Sequence, residues 1–325
     1  MPDIDNLLPL INNCFKPGEC LKSIEKIENP IARELARANY YQQIGNTEEA
    51  IRIAKLYMDH EDPFAQVSAY ITLFFTELAD GNKPGAEQAM SNLEKIKFDS
   101  SVPYGGKLFA ETIKNMIFSS GEEFVLDQSL NALPEGVRCY ISYFYSLHEI
   151  LRGRTEEAIG IAKTSLIMGA NKYPIPAIYL NVILGAGYTF KKDFAKADAY
   201  YNEAWNIASP DKFIMPFVQQ SLMIFGFDKK HIRDNYPDDY KAITSHIKPY
   251  LTAWGGVSNN INWFDNSEVS RMELIVGVLF KHGFAIKEIS DVLGISPNTI
   301  KTHLMAMRQK TGAQGRAETL KINVE

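Results

Sequence analysis

The sequence predicts an all-α fold, in which an array of repeated helix pairs is followed by a small, separate helical domain. Two observations support this prediction. At three places in the first half of the chain, a glycine stands five positions before an alanine, at a spacing typical of helical repeats. Near the C-terminus, between Glu288 and Leu304, apolar residues recur at helical spacing on both sides of a glycine and a Ser-Pro pair.

The composition indicates a globular protein of the cytoplasm. Hydrophobic residues make up 46% of the chain and charged residues 22%. Three cysteines form no C-x-x-C pair and leave one unpaired in any scheme, which favours a reduced compartment. The acidic start, Met1 to Asp5, lacks the features of a signal peptide. The longest apolar run, Pro174 to Phe190, holds two prolines and two glycines and predicts a buried helix rather than a membrane span.

The charge is unevenly distributed along the chain. The net charge is −5, yet residues 267–325 hold eight basic and six acidic side chains. A mildly basic end on an acidic body is typical of a sensor that carries a nucleic-acid-binding domain. Because the excess is small, we expect two copies of this end to act together, as in a homodimer.

The repeated unit predicts a helix, a turn and a second helix. The first two alanines are 36 residues apart and the next follows after 72, with an irregular unit around residues 121–124 between them. We expect the alanine to be buried where the paired helices cross, and Thr47 and Thr155 to cap the second helices. The three Gly/Ala pairs are Gly45 and Ala50, Gly81 and Ala86, and Gly153 and Ala158.

A further unit resembles the tetratricopeptide repeat through Leu184, Gly185, Tyr188, Ala197, Tyr201, Ala204 and Pro210. The resemblance covers roughly residues 10–210, with a less regular helical pattern over 211–250. It implies a curved superhelix whose groove holds a peptide, a protein or a small ligand. We expect most tyrosines of this part to be packing residues: Tyr40, Tyr41, Tyr70, Tyr140, Tyr143, Tyr145 and Tyr188.

A change in composition predicts a linker. Gly255-Gly256 and Asn259-Asn260 favour a turn or hinge. We therefore expect a sensor domain over residues 1–250, a linker over 251–266 and a terminal domain over 267–325.

The terminal domain has clear helix signals. Ser270 and Glu273 form a capping box, and a second helix ends at Gly294. Ser296 is the expected N-cap of a third helix that begins at Pro297. A last short helix is expected from Arg316 to about Asn323. On the third helix, Ile300, Leu304, Met307 and Thr311 share one side, and Asn298, Lys301, Thr302, Met305 and Gln309 share the other.

This segment resembles the LuxR-type (GerE-like) helix-turn-helix domain over about residues 268–323. The residues that carry the resemblance are 287–289, 293–304 and 316–318. The resemblance implies a four-helix domain that binds double-stranded DNA and self-associates through its last helix. It implies base contacts by Lys301, Thr302 and Met305, and places Lys287, Asn298, Thr299 and Arg308 near phosphates.

Two residues depart from the family pattern. Met305 stands where the family often has a polar side chain, so we expect apolar contact with thymine methyl groups. Ile275 replaces the usual glutamate, so we assign no family role to that position.

Other functional classes lack their signatures. Residues 1–266 show no alternating strands for a receiver domain and no G-x-x-x-x-G-K-[ST] loop. His148-Glu149 lacks the second histidine of a zinc protease, and no nucleophile–base spacing stands out. We predict no enzymatic activity, no catalytic residues, no cofactor and no metal.

The sequence thus predicts a transcription regulator in which a repeat sensor controls a helix-turn-helix, with RNA polymerase as a further candidate partner. Two alternatives stay open. The last domain could be a sigma-factor region-4 helix-turn-helix, although the upstream promoter-melting region is absent. The chain could also be a repeat scaffold whose terminal domain mainly dimerises.

Overall fold

The structure is a computed structural model that describes residues 3–96, 128–257 and 269–312. Helix pairs joined by tight turns make up the N-terminal part of the chain. No helix among the described residues is long and apolar enough to cross a membrane. The α-helices are α1 Cys20–Ile24, α2 Pro30–Gln43, α3 Thr47–Ala54, α4 Pro63–Ala79, α5 Lys83–Lys95, α6 Glu135–Leu151, α7 Thr155–Ile167, α8 Pro174–Phe190, α9 Phe194–Ala208, α10 Met215–Gln219, α11 Arg233–Asn235, α12 Pro237–Val257, α13 Arg271–Lys281, α14 Ile286–Leu293 and α15 Pro297–Thr311.

The predicted glycine–alanine spacing is explained by the turn inside each pair. Gly45, Gly81 and Gly153 have φ of 78°, 76° and 79°, a left-handed conformation that L side chains rarely adopt. The alanine five residues later is fully buried in each pair. The first pair packs against the second through α3 and α4, and the third packs against the fourth through α7 and α8. The predicted all-α fold is confirmed. The irregular unit predicted around residues 121–124 lies outside the described residues.

The predicted caps were one residue out of place. Thr47 and Thr155 are the first residues of α3 and α7, not their caps. The Asn46 side chain caps α3 by accepting the Glu49 N–H at 3.3 Å. Arg154 precedes α7 and makes no side-chain cap bond among the described residues. The left-handed glycine ends the first helix so abruptly that the next residue already occupies the cap position.

The fourth pair, α8 and α9, departs from the other three at its turn. Lys192 occupies the glycine position with φ of 60°, five residues before Ala197. The adjacent Asp193 caps α9 by accepting the Lys196 N–H. The two helices approach closely, because a Cβ added at Gly185 would overlap the Tyr201 ring. As predicted from its apolar sequence, α8 is buried along nearly its whole length.

The first part of the predicted linker is helical. Residues 251–257 continue α12, so the turn predicted at Gly255-Gly256 is wrong for this part of the linker. The Trp254 ring lies 6.3 Å from the Phe74 ring on α4, and Ala253 is buried. Packing of this apolar face on α4 outweighs the low helix propensity of glycine. Residues 258–268, with the other half of the predicted linker, lie outside the described residues.

The terminal domain places three short helices around its own apolar centre. α13 packs on α15, and α14 contacts both. Leu274, Ile289 and Ile300, one from each helix, are almost fully buried. The predicted last helix, Arg316 to Asn323, lies outside the described residues.

Gly185→Ala should lower the free energy of unfolding by about 1–3 kcal/mol, because the new methyl group overpacks the contact between α8 and α9. Gly160→Ala is the matched control. Gly160 is exposed in α7 and a Cβ added there would meet no atom within 4 Å, so alanine at this position should add about 0.4–1 kcal/mol. Urea denaturation followed by circular dichroism measures both changes. Equal stabilisation by the two substitutions would refute the close helix contact.

Candidate DNA-binding surface

The turn between α14 and α15 has the geometry that the sequence predicts. Gly294 ends α14 with φ of 64°, and the Ser290 hydroxyl donates to the Ile295 carbonyl at 2.6 Å. The Ser296 Oγ then accepts the Thr299 N–H at 3.1 Å, as an N-cap does. Pro297 follows as the first residue of α15. These bonds fix the angle at which α15 leaves the turn.

The two faces of α15 differ as predicted, except that Thr311, in its last turn, is exposed. Ile300, Leu304 and Met307 are buried against the rest of the domain. The opposite face is exposed, and Met305 keeps 60% of its surface accessible. We call this exposed face, with its first-turn neighbour Thr299, the reading face; it consists of Asn298, Thr299, Lys301, Thr302, Met305 and Gln309.

The other two predicted site residues lie apart from the reading face. Lys287 is exposed near the start of α14. Arg308 is half-buried, and its guanidinium carbon lies 5.7 Å from the centre of the Phe280 ring on α13. Arg308 therefore also takes part in packing α13 against α15, a role that the sequence did not indicate. On the reading face, the Thr302 hydroxyl donates to the Asn298 carbonyl at 3.0 Å, so its proton is used within the helix.

A partly buried ion pair holds α15 against the start of α13. The Ser270 N–H donates to the Glu273 carboxylate at 2.7 Å, which completes the predicted capping box. The same carboxylate accepts from Lys310, in the last turn of α15, at 2.9 Å. Burial by itself raises the pKa of Glu273, but the bonds from Lys310 and Ser270 outweigh burial and hold this pKa below its ordinary value. Glu273 is therefore ionised near neutral pH.

Arg271 fastens the terminal domain to the helix array. Its guanidinium donates twice to the Ser221 carbonyl, at 2.9 and 3.2 Å, and once to the Asp228 carboxylate at 3.0 Å. The Asp228 side chain is almost completely buried. Both acceptors lie in the stretch between α10 and α11.

A second set of contacts joins the α8–α9 turn to the terminal domain. Lys192 Nζ lies 2.6 and 2.8 Å from the two carboxylate oxygens of Glu288 on α14. The Phe190 ring is stacked on the His282 ring, with centres 3.9 Å apart. Burial is the main cause that lowers the pKa of His282, so the imidazole of His282 favours its neutral form. These contacts were not predicted from the sequence, although the lysine at the position of the repeat glycine could have indicated that this turn has a different role.

The reading face stays exposed while the terminal domain is held in this way. The described contacts to the array include those of Arg271, His282, Phe284, Glu288 and the Asp291 carbonyl, which accepts from Lys230 at 3.4 Å. They lie on α13, on α14 or in the turn between them, whereas the reading face lies on α15. The docked arrangement therefore leaves α15 accessible to a large partner.

Comparison with known proteins agrees with this geometry. Residues 270–322 match the family model described as "Bacterial regulatory proteins, luxR family", GerE. This region contains α13, α14 and α15 and every predicted site residue. No curated protein and no solved structure matches the chain. Residues 270–322 thus form a GerE-type helix-turn-helix domain, a DNA-binding domain of bacterial regulatory proteins. In the described part of the chain, no group of three or more histidine, cysteine or acidic residues is placed to hold a metal ion.

Glu273→Gln should lower the free energy of unfolding at pH 7 by about 1–3 kcal/mol, because it removes charged hydrogen bonds in a buried place. The folded pKa of Glu273 is depressed, so its stabilisation is complete above the ordinary value of 4.5 and is lost as the pH falls through the lower folded value. The difference between wild type and variant should therefore vanish in acid. Denaturant titrations between pH 3 and pH 7 measure it.

Glu49→Gln is the control for this experiment. Glu49 pairs with Arg52 on an exposed surface of α3, where ion pairs contribute little to stability. A loss equal to that of Glu273→Gln, or a loss that is the same at every pH, would contradict the role given to the partly buried pair.

Proposed function

We propose that this chain is a transcription regulator that binds double-stranded DNA through α15 and responds to a ligand held by its helical-repeat domain. The observation that carries the proposal is the exposed reading face of α15, within the region that matches the GerE family model. A helix of this kind enters the major groove and contacts base edges with its exposed side chains.

The residues of the surface take two roles in this proposal. Lys301, Thr302 and Met305 contact the bases; lysine donates to guanine, and the Met305 side chain packs on thymine methyl groups. Thr302 accepts a hydrogen bond, because its own proton is used within α15. Residues that contact phosphates fix the register of the protein on DNA without reading its sequence. These are Lys287, Asn298, Thr299 and Arg308.

The remaining parts of the chain supply sensing and dimerisation. We assign sensing to a tetratricopeptide-like domain over residues 1–250, the connection to residues 251–266, of which 251–257 extend α12, and DNA binding to residues 267–325. Self-association through residues 316–323 gives a homodimer, which binds two half-sites about one helical turn of DNA apart. The regulator acts in the cytoplasm, and RNA polymerase is its expected partner at the promoter.

The base contacts are tested by Lys301→Ala combined with Thr302→Ala, in a mobility-shift assay on DNA upstream of the chain's own gene. The double variant should lose at least about tenfold in affinity, since each specific base contact contributes roughly 1–3 kcal/mol. Lys163→Ala combined with Thr164→Ala is the matched control, because this Lys-Thr pair is also exposed on a helix, α7. Unchanged binding by the first variant would overturn the base-contact assignment.

The phosphate role of Lys287 is tested by the salt dependence of binding. Lys287→Ala should weaken binding to all DNA sequences alike and reduce the slope of log K against log salt by about 1. The control is Lys163→Ala, for which the slope stays at the wild-type value. A change in sequence preference with an unchanged slope would assign Lys287 to base reading instead.

A further inference from the structure

A cavity lies within the helix array, between α4, α6, α10 and α12. Its volume is about 100 Å³, and it is partly open to solvent. Pockets that enclose a drug-sized ligand are commonly about 300–1,000 Å³, so this cavity would enclose only part of a ligand, the rest of which would reach its open side. Two of the tyrosines predicted to be packing residues, Tyr140 and Tyr143, are buried as expected and also line this cavity.

The walls of the cavity are apolar and aromatic. The described residues that line it include no acidic or basic side chain; among them are Phe144, Leu147, Met223 and Trp254. A charged ligand would lose its hydration there without gaining an opposite charge, which is strongly unfavourable. The described lining therefore favours an uncharged ligand.

The polar groups of the cavity are few and already partly engaged. Gln220 Nε2 donates to the Tyr143 hydroxyl at 2.5 Å, and Gln219 Oε1 accepts from the Tyr179 hydroxyl at 2.6 Å. A peptide would bring many backbone N–H and C=O groups that these side chains could not pair. A small molecule with one or two polar groups fits better, because each glutamine amide has a second polar atom to offer.

One wall of the cavity is shared with the terminal domain. In the stretch 219–228, Leu222 and Met223 line the cavity, while the carbonyl of the neighbouring Ser221 accepts the two bonds from Arg271. The backbone of this stretch is strained, since Phe225 is buried with φ of 35°. The same few residues thus contact both the cavity and the anchor of the DNA-binding domain.

We propose that this cavity binds a neutral, largely apolar small molecule, and that residues 219–228 transmit its binding to the terminal domain through Arg271. The inference rests on the proposed function, for which it specifies the ligand class and the path of regulation. A ligand that moves Leu222 or Met223 displaces the Ser221 carbonyl, so the hold of Arg271 depends on whether the cavity is filled.

The site is tested by titrating the purified full chain with N-phenyl-1-naphthylamine, a neutral aromatic probe that fluoresces in apolar surroundings. The probe is excited directly, and no DNA is present, so the result does not depend on whether the chain binds DNA. We expect saturable binding to one site, with a Kd on the order of 10 µM for a ligand of this size. Fluorescence that rises without saturation would overturn the proposal.

Leu147→Trp should weaken probe binding at least tenfold, because the larger ring fills the cavity. Leu21→Trp is the matched control; Leu21 is 46% exposed on α1 and lies outside the cavity. Leu151→Trp, on the half-buried last turn of α6, is a second filling variant in case the first does not fold, as judged by circular dichroism. Wild-type affinity in a folded filling variant would place the probe elsewhere and overturn the site.

The link to the terminal domain is tested by Arg271→Ala in the same titration. Coupling between two sites is reciprocal, so loss of the anchor should change probe affinity. We expect Kd to rise at least threefold, because the released wall is no longer held in place. Arg52→Ala removes an exposed arginine of α3 as the control. A Kd for Arg271→Ala within a factor of two of the control would overturn the link.

Discussion

The placement of α15 relative to the helix array depends on the ion pair between Arg271 and the buried Asp228. Asp228 is desolvated, so loss of its partner would leave an uncompensated carboxylate inside the protein. Arg271 is also the first residue of α13, next to the capping box that aligns Glu273 with Lys310 on α15. A short series of hydrogen bonds therefore connects the helix array to α15. The side chains that form these bonds depend on one another for their stability.

Local structure could be predicted from the sequence wherever a residue type has one strongly preferred backbone conformation or capping role. The glycine turns, the Ser270 capping box and the start of α15 at Pro297 follow from backbone preferences that act within a few residues. The two faces of α15 follow from helical periodicity for the same reason. The seven site residues were instead implied by the resemblance to the LuxR-type domain; the structure leaves six of them exposed and packs the seventh, Arg308, against Phe280.

Features that depend on contacts between distant residues could not be predicted. Gly255-Gly256 favours a turn in isolation, and its helical state results from the packing of Trp254 near Phe74, about 180 positions earlier in the chain. The Arg271 anchor joins residues 43 and 50 positions apart, and no local pattern marks Ser221 as its acceptor. The cavity is formed by four helices, so its existence is a property of the assembled array rather than of any one repeat.

The contact between Lys192 and the terminal domain restricts where further helix pairs could be added to the array. The first three pairs each turn at a left-handed glycine, but the turn of the fourth pair carries a lysine in left-handed backbone that reaches Glu288. A gene duplication upstream of α8 would lengthen the array and leave this docking end intact. A duplication after α9 would separate Lys192 from the domain it holds. Relatives with longer arrays should therefore have gained their additional units on the N-terminal side.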